Sequence, residues 1–99
     1  MKVRLAHTLG AQEVRRRLQA HAGEIGSFFP PGLAQVTTNW ASPDRMDMRA
    51  TVVGQTIPGR ITVGEDHVVI EMDLPLLLGV MRGPLEVAVR QQATRLLAP

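Results

Sequence analysis

The chain has no cysteine among its 99 residues. That excludes a disulfide framework, a thiolate nucleophile and any cysteine-ligated zinc. Aromatic residues are nearly missing too: Phe28, Phe29 and Trp40 are the only three. A core must therefore be built from Val, Leu, Ile, Met and Ala. Long apolar runs are lacking. The longest, Leu74 to Met81, is interrupted by Pro75 and Gly79 and falls far short of the ~18 residues of a membrane span. The opening Met1-Lys2-Val3-Arg4 runs straight into a charged alternating pattern and has no apolar leader, so a cytoplasmic protein is expected.

Strong charge of one sign is absent as well. The formal net charge is +2, distributed unevenly. Residues 1–40 hold five basic and two acidic groups, residues 41–73 three and six, and residues 74–99 three and one. This is no basic stripe, and the aromatics are not interleaved with arginine, so a nucleic-acid partner is not expected. An apolar fraction of 44% with 20% charged is that of a globular chain, and the length fits one domain over residues 1–99.

What is present is clear periodicity. From Lys2 to His7, Val3, Leu5 and His7 alternate with Lys2, Arg4 and Ala6, which predicts a half-buried strand. Thr8 is placed to cap a helix from Gly10 to about Gly26, with Ala11, Val14, Leu18, Ala22 and Ile25 along one stripe. Arg15, Arg16 and Gln19 point away from that stripe, and Arg17 flanks it. Two prolines in Phe28-Phe29-Pro30-Pro31-Gly32 prevent its continuation.

Four further strands follow, separated by short turns. Leu33 to Trp40 and Arg45 to Val53 alternate, the latter with Met46, Met48, Ala50 and Val52 on one face. Thr56 to Val63 contains Pro58, which predicts an edge, a bulge or a strand start there. In the fifth strand Val68, Ile70, Met72 and Leu74 alternate with His67, Val69, Glu71 and Asp73. Leu76 to Met81 is a first short helical piece, and Gly83-Pro84 restarts a helix with Leu85, Val89, Gln92 and Leu96 along one face. The fold class expected is α+β in the order β-α-β-β-β-β-α, an antiparallel sheet with two helices packed on one face.

No constellation for catalysis emerges. His7, His21 and His67 stand at element ends without helical i,i+4 spacing or an HExxH-like motif, so neither a metal nor another cofactor is expected. His67, Glu71 and Asp73 share a strand face, a row that could serve acid–base chemistry inside a pocket but reads first as a wet sheet face. Ser27 and Ser42 are the only serines and both lie in proline-flanked turns rather than in a nucleophile elbow. No GxGxxG or GxxxxGK[ST] motif occurs, and Gly54, Gly59 and Gly64 read as turn or bulge residues. The features left for a partner are the Phe28/Phe29 loop and the basic Arg15 and Arg16 on the first helix. Met46, Met48, Met72, Leu78 and Met81 are the residues that would line an apolar cavity if the sheet encloses one.

The stretch from Val53 to Pro75, with Gly59, the Gly64-Glu65-Asp66 turn and Leu74-Pro75, resembles the central part of the polyhydroxyalkanoic acid system protein family. Arg4, His7, Leu9-Gly10, the Arg-rich helix from Val14 to Leu18, and Trp40 at a strand end extend the resemblance over nearly the whole chain. The proline-rich Phe28-to-Gly32 loop and Gly83-Pro84 depart from the family's pattern. The resemblance implies a non-enzymatic accessory protein of polyhydroxyalkanoate storage. Its implied place is at the granule surface or beside another granule protein, with no catalytic residue to carry over. Two other readings stand beside it: a small apolar-ligand-binding module with a helix on a curved sheet, and a homodimeric regulatory or assembly protein that uses a sheet face or edge.

Overall fold

The structure is a computed structural model and describes residues 1–21, 34–52, 54–74, 79–80 and 82–99. Its elements are β1 (Lys2–Ala6), α1 (Ala11–Ala20), β2 (Ala34–Ser42), β3 (Arg45–Val52), β4 (Gln55–Val63), β5 (His67–Met72) and α2 (Arg82–Leu96). The five strands form one antiparallel sheet in the order β1-β5-β4-β3-β2. Strands β2 to β5 make the expected meander, and β1 joins beside β5 with Val3 opposite Ile70.

Register turns the alternation of each strand into rows that cross the sheet. One inner row reads Val3–Ile70–Ile61–Met46–Trp40, and the next reads Met72–Gly59–Met48–Thr38. Val3, Ile70, Ile61, Met46, Met48 and Met72 are all buried. Helix α1 lies over β4 and α2 over β1, both on this inner side. Val14 and Leu18 of α1 meet Ala93, Leu96 and Leu97 of the α2 end above Ile61, Val68 and Ile70. The void left among them is about 10 Å³, no more than one water would need, and its walls are wholly apolar.

Four local expectations are corrected. The residue that caps α1 is Gly10, at φ 81°, and no side chain caps the helix; Thr8 lies two residues too early. Helix α1 closes at Ala20, where the His21 N–H donates to the Arg17 carbonyl at 3.0 Å; Ala22 and Ile25 lie outside the described residues. In α2 the buried line is Leu85, Val89, Ala93 and Leu97, at strict four-residue steps, while Gln92 and Leu96 are half-buried beside it. Pro84 falls in the first turn of α2, where its missing N–H has no intrahelical partner to lose.

Pro58 is the fourth. It sits inside β4, an interior strand, opposite Arg49 of β3. Its carbonyl accepts from the Asp73 N–H at 3.0 Å, just past the last residue of β5. The N–H and C=O of one strand residue point to the same side. Proline's missing donor therefore faces the point where the β4–β5 ladder ends, and the β3–β4 ladder is intact.

Candidate functional site

The methionines predicted as cavity walls show how tightly the inner face is filled. Gly59 lies in mid-strand, not at a turn or bulge. A Cβ there would stand 3.3 Å from Met48 Cε, 3.3 Å from Met72 Cγ and 3.0 Å from the Glu71 carbonyl oxygen. The space over Gly59 is thus occupied by Met48 and Met72, and Met46 is fully buried beside them in the next row. Leu78 and Met81, the other two predicted lining residues, lie outside the described residues.

The basic run on α1 is largely engaged within the chain. Arg15 binds Asp44 in the β2–β3 turn at 2.5 Å and so ties α1 to that hairpin. Arg16 is exposed and makes a two-pronged contact with Glu13, at 2.6 and 2.8 Å. Hydrogen bonds from Arg16 and Arg17 pull the Glu13 carboxyl down to about 2. Arg17 also donates to the carbonyls of Leu96 and Ala98 at the C-terminal end of α2. A guanidinium at that negative helix end satisfies carbonyls that have no intrahelical donor. Phe28 and Phe29 lie outside the described residues.

His7 is buried, and both ring nitrogens are used. The Leu9 N–H donates to Nδ1 at 3.2 Å, which leaves Nε2–H to donate to the Gly64 carbonyl at 3.0 Å. One side chain thereby joins the end of β1, the approach to α1 and the β4–β5 turn. His67 is paired with its neighbour Asp66 at 2.7 Å, and this contact lowers the Asp66 pKa. Glu71 and Asp73 both turn to Arg60, at 3.3 and 3.7 Å. The row His67, Glu71, Asp73 therefore does not converge on a common point. Among the described residues no three His, Asp or Glu side chains converge as a metal site.

What remains is the outer face of the sheet, which neither helix covers. Its central row reads Lys2–Glu71–Arg60–Asp47–Asn39, alternating in charge across four strands. Asp47 sits between Arg45 and Arg49 along β3 and opposite Arg60 of β4; Arg45 bonds it at 2.8 Å. Over β2 to β4 this face forms an open groove of about 320 Å³ lined by Thr37, Thr38, Asn39, Arg45, Asp47, Arg49 and Arg60 together with Met48, Pro58 and Gly59. Of these, the side chains of the threonines, Asn39 and the three arginines can donate hydrogen bonds, and Asp47 can only accept. Sequence reading placed Arg45, Asp47 and Arg49 on one strand face. Hairpin register was needed to bring Arg60, Thr37 and Asn39 to them.

A family model described as "Putative polyhydroxyalkanoic acid system protein (PHA_gran_rgn)" matches residues 1–97. The chain belongs to this family. The match spans the five strands and two helices described above, so the Gly83-Pro84 departure lies within it. No curated protein and no solved structure matches the chain. Among the described residues no helix is long and apolar enough to cross a membrane.

Proposed function

We propose that this protein is a non-enzymatic accessory protein of polyhydroxyalkanoate storage that works by contact at the granule, its outer sheet face being the contact surface. The observation that carries the reading is the groove on that face, where the donors Thr37, Asn39, Arg45, Arg49 and Arg60 stand beside apolar Met48, Pro58 and Gly59. A polyester offers ester carbonyl acceptors and no donors along its chain, so the chemistries are complementary. Family membership over residues 1–97 supports the same assignment. An apolar ligand inside the fold draws less support, because Met48 and Met72 close over Gly59 and the void between the helices is about 10 Å³.

The test is co-sedimentation of the purified protein with isolated granules. Wild type is expected in the pellet, and the double variant Arg45→Ala/Arg49→Ala in the supernatant with unchanged circular dichroism. A wild-type protein that stays wholly soluble overturns the proposal.

A further inference from the structure

The two edges of the sheet are built differently. β1 is five residues long, carries Lys2 and Arg4 on its outer side and lies under α2. Charges, shortness and cover are how natural edge strands resist pairing with another chain. β2 is nine residues long, reads Ala-Gln-Val-Thr-Thr-Asn-Trp-Ala-Ser, and contains no charged residue and no proline. Among the described residues only β3 pairs with it.

The direction of its free backbone groups follows from the ladders. Pro58 faces β5 through its carbonyl, so its partner Arg49 faces away from β4 and toward β2. Thr37, opposite Arg49, then faces β3. By alternation Val36, Thr38 and Trp40 present N–H and C=O outward, away from the sheet. The one register shift in β2 lies between Trp40 and Ser42, outside this segment.

We propose that β2 pairs antiparallel with β2 of a second copy of this chain about a two-fold axis through Thr38, making one continuous ten-stranded sheet. The segment is self-complementary about that residue. Thr38 faces its own copy, and each Val36 faces the second copy's Trp40, giving about six new backbone hydrogen bonds. Val36 and Trp40 are half-buried at the margin of the core on the inner side. The pairing sets an aromatic ring against a β-branched side chain and Thr against Thr, both favourable cross-strand pairs. On the outer side Thr37 meets Asn39, so no like charges are opposed. The two grooves on the outer face then lie side by side on one surface.

The experiment is sedimentation equilibrium on the wild type and two variants. Wild type is expected at twice the 10.8 kDa chain mass. Thr38→Pro removes an outward-facing N–H and leaves the β2–β3 ladder untouched, so it is expected to stay folded by circular dichroism and fall to the single-chain mass. Thr38→Lys places like charges on the axis and is expected to do the same, a second route if the proline variant fails to fold. Because the chain has no cysteine, Thr38→Cys offers one thiol per copy. It is expected to form a disulfide-linked dimer on mild oxidation, whereas Thr62→Cys, exposed on the outer face of interior strand β4, is not. A monomeric wild type, a folded Thr38→Lys variant that remains dimeric, or equal cross-linking by the two cysteine variants overturns the proposal.

Discussion

The two faces of the sheet are one residue apart along every strand, yet they follow different physics. On the inner face the row Val3–Ile70–Ile61–Met46 is apolar and buried beneath the two helices, and it runs out to half-buried Trp40 at the sheet edge. On the outer face the adjacent row Lys2–Glu71–Arg60–Asp47–Asn39 is charged and polar, with Arg60 paired to Glu71. The inner row holds the fold together because apolar area leaves water there. The outer row contributes little to stability, since exposed ion pairs are worth ~0–1 kcal/mol. Its side chains are therefore available for contact with something else.

That contrast can be broken most directly at Ile61, which is 1% exposed beneath α1. Ile61→Ala is expected to cost about 3 kcal/mol in denaturant unfolding. His7 sharpens the comparison because it is a polar residue on the buried side. His7→Ala leaves the Leu9 N–H and the Gly64 carbonyl without their partner and is expected to cost about 2 kcal/mol by the same measurement. Arg60→Ala, one residue from Ile61 but on the outer face, is expected to cost less than about 1 kcal/mol despite the loss of contacts with Glu71 and Asp73. Equal losses for Ile61→Ala and Arg60→Ala would refute the division of labour between the faces.

The smallest effect is expected at Glu13, on the exposed side of α1. Its carboxyl is held down to about 2 in the folded protein by Arg16 and Arg17. The folded value lies below the unfolded one, so the stabilisation is complete above roughly pH 5 and is lost as pH falls through 2. Melting temperatures of wild type and Glu13→Gln should differ slightly at neutral pH, and the gap should narrow as pH falls towards 2. A gap that widens on acidification would contradict this sign.

The separation of the faces was legible in the sequence, because side-chain alternation is a local property of extended backbone. Met46, Met48 and Ala50 against Arg45, Asp47 and Arg49 announce it in a single strand. The short turns at Pro43-Asp44, Gly54 and Gly64-Glu65-Asp66 likewise made the meander readable. The candidate site was legible only in halves: its β3 residues stood on one face, but Thr37, Asn39 and Arg60 joined them through the ladders. The intrachain partners of the arginine run were out of reach for a related reason. A helical pattern shows which residues point outward but not that Asp44, 29 positions away, or the α2 carbonyls, 79 and 81 away, will meet them.

The sequence by itself determined the element types, the apolar and polar sides of each strand, and an aliphatic core without disulfides. These follow from local periodicity and composition. Tertiary structure alone decided that β1 closes against β5, that Pro58 sits where a ladder stops, and that Met48 and Met72 fill the space over Gly59. It also decided that the uncharged β2 is left at an edge. Each of these depends on which distant segments become neighbours, and that is settled by the joint burial of all the apolar faces rather than by any one stretch of chain.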